Sequence, residues 1–133
     1  MGVIDQLIRQ IDEKNCPIVM GLDPMIQFIP DHIKSLSLSK FGNTIKAVTE
    51  SFLRFNQEIL QSTHQYIPAV KLQMACYEIY GAAGIEVFRQ TVALAKDYNL
   101  LVIDDSKRND IGNTANLYAA GHIGKVPLIK GFE

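Results

Sequence analysis

The chain lacks a charge imbalance. Thirteen Lys and Arg stand against fourteen Asp and Glu, a net charge of −1. That leaves no electrostatic footprint for nucleic acid or an anionic membrane. No stretch is long and apolar enough to span a bilayer. Residues Met1 to Arg9 alternate apolar and polar positions where a signal peptide would show an apolar core. Gln6 stands where a myristoylation signal needs Ser or Thr. Only two cysteines occur, Cys16 and Cys76, far apart and in no Cys-x-x-Cys pair. They read as small buried hydrophobes in a reducing compartment. His32, His64 and His122 are scattered without metal-ligand spacing, so each reads as structural. Repeats and low-complexity tracts are missing too. What remains is 133 residues, 47% hydrophobic and 20% charged. These are the proportions of a single soluble domain over 1–133, expected in the cytoplasm.

Periodicity divides the chain. Val3, Ile4, Leu7, Ile8 and Ile11 recur at helical spacing and predict an amphipathic helix over 3–14, ended by Asn15 and Pro17. Ile18 to Leu22 is a short apolar run closed by Asp23-Pro24, a buried strand followed by a loop. Met25 to Ser39 is mixed, with a short amphipathic piece over 32–36. Phe41, Ile45, Val48, Phe52, Phe55 and Ile59 predict one long helix. Pro68 stops it. Ala69 to Gln73 reads as a second strand, Gly84 to Tyr98 as a helix, and Leu100 to Asp104 as a third strand. Ile111 to Ala120 is helical, with Gly112 at its junction to the preceding loop. The tail from Gly121 to Glu133 shows no period. Buried strands alternating with helices predict an α/β fold with a parallel sheet and crossover helices.

Each predicted strand ends in charge: Asp23, Lys71, and the pair Asp105 and Lys107. In parallel α/β folds the chemistry sits at the carboxyl ends of the strands. Charge at a strand end reaches the mouth of the sheet, whereas charge mid-strand is costly to bury unless paired. Taken alone, Asp23 before Pro24 is an ordinary loop or cap residue. Recurrence in successive β-α units argues otherwise. Alternation along the third strand puts Asp105 and Lys107 on one face and Asp104 on the other. Asp110 follows three residues later. A bare D-x-K-x-x-D also fits a surface ion pair at a helix start, but Asp105-Ser106-Lys107-Arg108-Asn109-Asp110-Ile111-Gly112-Asn113-Thr114-Ala115 is far more specific.

That string resembles the signature of orotidine 5′-phosphate decarboxylases, in the longer, bacterial-type branch. The resemblance extends to Gly21-Leu22-Asp23-Pro24 and to the segment Val70 to Gly81, which contains Tyr77-Glu78-Ile79-Tyr80-Gly81. It implies the N-terminal portion, about three β-α units, of a (β/α)₈ TIM barrel. It implies decarboxylation of orotidine 5′-phosphate to UMP in pyrimidine biosynthesis, by a homodimer with shared active sites and with no metal or organic cofactor. Carried onto matching positions, Asp23 would bind a ribose hydroxyl. Lys71 would contact the ribose and Asp105, and Asp105 would lie beside the departing carboxylate. Lys107 would protonate C6 of the pyrimidine. Asp110, Ile111 and Thr114 would reach into the partner's site. Arg108, Asn109 and Gly112 would be scaffold.

A (β/α)₈ barrel takes about 250 residues. The pattern here yields three strands and stops about where a fourth is expected. Strands 4 to 8, and a phosphate grip of the kind commonly built after strands 7 and 8, are expected in the remainder of a longer protein. The alternatives are a separate chain that completes the barrel and a fragment without activity. Two further readings compete. One is a metal-dependent sugar-phosphate decarboxylase of the 3-keto-L-gulonate 6-phosphate type, which shares the D-x-K-x-x-D. The other is a non-catalytic flavodoxin-like binding domain. Its Gly-rich phosphate loop after the first strand is not what Gly21 to Pro24 spells.

Overall fold

A computed structural model describes residues 2–131; Met1 and the last two residues of the predicted aperiodic tail, Phe132 and Glu133, lie outside them. Helix α1 (Val3–Lys14) leads into strand β1 (Val19–Leu22), a 3₁₀ turn (Ile26–Phe28), and helices α2 (Asp31–Phe41) and α3 (Ile45–Thr63). Strand β2 (Ala69–Gln73) runs directly into a short helix, α4 (Met74–Glu78), and then α5 (Gly81–Asp97). Strand β3 (Leu101–Asp105) precedes α6 (Gly112–Ile123).

The strands form one parallel sheet in the order β1-β2-β3. Gly21 pairs with Lys71 and Lys71 with Ile103, while Gln73 pairs with Asp105. Side chains alternate between faces along each strand, so this register sorts the two faces. Met20, Leu22, Val70, Leu72 and Val102 point toward the helices and join one apolar cluster with Val48, Phe52, Leu60, Tyr77 and Val87. Lys71, Gln73, Ile103 and Asp105 share the opposite face. The sheet is thus covered on one side and presents the other to the site.

The pattern differs from the sequence reading in five places. The single long helix starting at Phe41 is two helices. Phe41 ends α2, Gly42 takes a left-handed φ of 67°, and the Thr44 side chain caps α3 by accepting from the Ala47 N–H at 3.3 Å. Helix α5 begins at Gly81, three residues earlier than Gly84, and α4 had no predicted counterpart. Of the strands expected to be buried, only β2 is; Val19 in β1 and Ile103 in β3 are 39% and 43% exposed because each lies on an outer strand with an open face. Cys76 is buried as expected, but Cys16 is half-buried; both are free thiols.

Two anchors fix the amino ends of the strands. The Lys14 ammonium donates to the carbonyls of His64 and Ile67, each at 2.7 Å, tying α1 to the approach of β2. Burial holds its pKa below the ordinary lysine value, against the opposing pull of Glu13. His64 stacks on Tyr98 with ring centroids 4.2 Å apart. After α6, Val126, Leu128 and Ile129 pack on the apolar cluster. The Lys130 backbone exchanges hydrogen bonds with the Asn43 side chain at 2.6 and 2.8 Å.

Candidate active site

The carboxyl ends of the three strands converge on a row of alternating charges. Asp23 follows β1, and both its oxygens lie 2.9 Å from Lys71 Nζ on β2. Lys71 Nζ is 3.8 Å from Asp105 Oδ2 at the end of β3. Lys107 Nζ hydrogen-bonds Asp105 Oδ1 and lies 3.2 Å from Asp110 Oδ2. The sequence Asp23–Lys71–Asp105–Lys107–Asp110 therefore has opposite charges at every step.

Parallel pairing explains the row. Lys71 pairs with Ile103 and Gln73 with Asp105, so Lys71 and Asp105 lie diagonally on one face, two positions apart, and the long lysine side chain reaches the carboxylate. Lys107 lies beyond β3, in a loop that turns back at Arg108, whose φ is 61°. That turn folds Lys107 over Asp105. Hydrogen bonds to Asp105 and Asp110 raise the Lys107 pKa above the ordinary lysine value. The Ile111 N–H, donated to Asp110 Oδ1 at 2.8 Å, and then Lys107 hold the Asp110 carboxyl below its ordinary value. At neutral pH Lys107 is an ammonium flanked by two carboxylates.

All five charged residues singled out in the sequence meet here. Ile111 and Thr114 do not join the row. Ile111 is the N-cap of α6 and 86% exposed, and Thr114 sits half-buried on the first turn of that helix.

Other site residues carried no assigned role in the sequence. Gln73 is buried, and its backbone N–H donates to Asp23 Oδ1 at 3.1 Å. Its side chain donates to Asp105 Oδ2 at 2.8 Å. It thereby holds a carboxylate on each side of Lys71. The available signal was its position two residues after Lys71, on the same face. Glu78 Oε2 accepts from Arg108 Nε at 2.7 Å, and Oε1 lies 2.9 Å from His122 Nε2. Burial pushes the Glu78 carboxyl up, but the bonds from Arg108 and His122 together leave it below its ordinary value. Burial first, and then the Asp23 charge, push the Cys76 thiol up to about 12; it is a neutral packing group behind the site.

The family model for the orotidine 5′-phosphate decarboxylase / HUMPS family matches residues 17–126, which include every charged residue of the row. The chain belongs to that family. An orotidine 5′-phosphate decarboxylase of Clostridium perfringens is 35% identical over 120 residues, which are 90% of this chain and 39% of the relative. The enzyme of the same name from Petrotoga mobilis is 32% identical over 120 residues, 90% of this chain and 38% of its own. The chain spans about two fifths of the length of these relatives. A crystal structure from Streptomyces avermitilis, of a provisionally assigned orotidine 5′-phosphate decarboxylase, superposes with a TM-score of 0.58 at 29% identity. That match covers 86% of this chain and 36% of the other. The α/β architecture expected from the sequence is therefore the partial TIM barrel of the decarboxylase family, with its first three parallel strands in order.

Among the described residues no group of three or more His, Cys, Asp or Glu side chains is arranged to hold a metal ion. No helix among them is long and apolar enough to cross a membrane.

Proposed function

We propose that residues 1–133 form one partial barrel domain carrying the reaction centre of an orotidine 5′-phosphate decarboxylase, which makes UMP for pyrimidine biosynthesis. The observation that carries this reading is the row Asp23–Lys71–Asp105–Lys107–Asp110 at the mouth of three adjacent parallel strands.

The chemistry needs such a row. When the bond from C6 to the carboxylate breaks, carbon dioxide leaves and the electron pair stays on C6. That carbanion has little resonance help, so the site must stabilise charge that appears only in the transition state. Lys107 supplies a fixed ammonium at that point and then transfers a proton to C6. Asp105 and Asp110 hold that ammonium in place. Asp105, beside the leaving carboxylate, disfavours the bound substrate by like charge. Two charges about 4 Å apart interact by roughly 4 kcal/mol at an effective dielectric near 20. Enzymatic accelerations require about 8–23 kcal/mol. The repulsion is therefore a minor part, and the lysine field with remote binding of the phosphate supplies the rest. Asp23 and Lys71 take the ribose hydroxyls.

The reading includes a homodimer in which Asp110, Ile111 and Thr114 reach the partner's site. The exposure of Ile111 supports it. It also includes a cytoplasmic location and no metal or organic cofactor. The test is release of carbon dioxide from carboxyl-labelled orotidine 5′-phosphate, with EDTA present, by the intact polypeptide carrying these residues. Release that EDTA abolishes would contradict the metal-free reaction. Absence of release would remove the reading. A monomer by light scattering would remove the shared site.

A further inference from the structure

The loop that carries Lys107 has no regular structure between β3 and α6. Its turn is made at Arg108 with a φ of 61°, a region that L side chains rarely occupy unless surrounding contacts hold them there. The contact that holds it comes from another β-α unit. Arg108 Nε donates to Glu78 at 2.7 Å, while Arg108 Nη1 reaches back to the Ser106 carbonyl at 3.3 Å. Glu78 is the last residue of α4, the helix that follows β2 without a break.

The other oxygen of Glu78 faces His122 Nε2 in the last turn of α6. The Glu78 side chain is 16% exposed, against 51% for Arg108 and 60% for His122. The carboxylate is thus the fixed member, and the Arg108 guanidinium and the His122 ring are the arms that settle on it. Helix α6 also touches α4 beside this point: a Cβ added at Gly121 would lie 2.8 Å from Ile79 Cα. Helix α4 is a platform on which both ends of the β3–α6 segment rest.

We propose that Glu78 is a positioning residue for the reaction centre, holding the Lys107-bearing loop over Asp105 through Arg108 and tying that loop to α6 through His122. This rests on the reading of Lys107 as the proton donor. Glu78 touches no reacting atom. Its effect is felt where Lys107 Nζ sits relative to the groups that face it, Asp105 and Asp110, with Lys71 beyond Asp105.

The test is an NMR titration of lysine-labelled chain, following Lys107. Glu78→Gln keeps the side-chain size and loses the charge. The titration midpoint of Lys107 is expected to fall toward the ordinary lysine value as its contacts with Asp105 and Asp110 loosen. Arg108→Met is expected to produce the same fall, and the double variant no more than either single. Glu86→Gln breaks an exposed ion pair of the same 2.7 Å length with Arg89 and is expected to leave Lys107 unmoved. A Lys107 midpoint unchanged in folded Glu78→Gln would overturn the proposal. If Glu78→Gln does not fold, the exposed Arg108→Met variant decides on the same criterion. Calorimetry with UMP on the intact polypeptide carrying these residues, without substitution, separates the two levels: no binding counts against the decarboxylase reading, while the fall at Lys107 still supports the clamp.

Discussion

Replacing Tyr77 with Phe removes one oxygen atom from the centre of the fold. The Tyr77 side chain is fully buried, and its hydroxyl donates to the Leu22 carbonyl at 2.9 Å. Leu22 is the residue before Asp23, so this bond fixes the end of β1 from α4. The same oxygen accepts from Asn56 Nδ2 at 3.0 Å, and Asn56 also donates to Thr91 Oγ1 at 3.0 Å. Asn56 and Thr91 are themselves completely buried. Burial raises the pKa of the phenol, so the hydroxyl keeps its proton and remains a donor. With Phe at this position the ring packing is unchanged, but one Asn56 N–H loses its acceptor and the Leu22 carbonyl loses a donor. Each lost hydrogen bond is worth about 1 kcal/mol net, and a buried group left unpaired costs about 1–3 kcal/mol. The expected loss is about 2–4 kcal/mol. At a urea slope of about 2 kcal/mol/M the unfolding midpoint falls by about 1–2 M with the slope unchanged. Urea denaturation followed by circular dichroism measures it. A midpoint shift under about 0.3 M would refute the argument that this hydroxyl locks β1 to α4.

Three further outcomes are expected. Lys107→Ala abolishes turnover of orotidine 5′-phosphate but leaves a product-like nucleotide bound, read by steady-state kinetics and calorimetry; near-normal turnover would remove Lys107 as proton donor. Gly84→Ala places a Cβ 1.8 Å from the Tyr77 carbonyl oxygen, so α5 must move off α4; overpacking of this kind costs about 1–3 kcal/mol or more, visible as a lowered thermal midpoint, and an unchanged midpoint would contradict the close approach. The Lys107–Asp110 contact carries a pH window. Asp110, with its pKa lowered in the fold, contributes above its unfolded value and loses that contribution as pH falls through its folded value. Lys107, with its pKa raised, contributes below its unfolded value and loses that contribution as pH rises through its folded value. Amide exchange in the Ser106–Ile111 loop is therefore expected to be slowest, relative to its intrinsic rate, between the ordinary aspartate and lysine ranges; constant protection across both ends would contradict the pairing.

Much of this site was legible from residue order because parallel strands convert sequence position into height above the sheet. The apolar runs of the three strands were readable; Asp23 follows the first and Asp105 ends the third, while Lys71, expected at a strand end, lies inside β2 on the face it shares with Asp105. The Asp105-to-Thr114 string named the family before any geometry was known. Helix α4 was not legible because five residues hold barely more than one turn, too short for a 3.6-residue period to show. The break between α2 and α3 had local signals, Gly42 as terminator and Thr44 as cap, but the apolar spacing ran straight across it. Gln73 and Glu78 were overlooked for another reason. Gln73 carries no charge, and the partner of Glu78 lies 30 residues away on a turn whose left-handed residue is an arginine. Nothing in an arginine's sequence context announces a left-handed backbone, so the Glu78–Arg108 contact belongs to tertiary structure alone.

The central claim is that Lys107, held between Asp105 and Asp110, protonates C6 after carbon dioxide departs. The most direct measurement is carbon dioxide release from carboxyl-labelled orotidine 5′-phosphate by the intact polypeptide, with EDTA present, compared with its Lys107→Ala variant. The account predicts EDTA-insensitive release that the variant loses. Release retained without the lysine, or dependent on a metal, would contradict it.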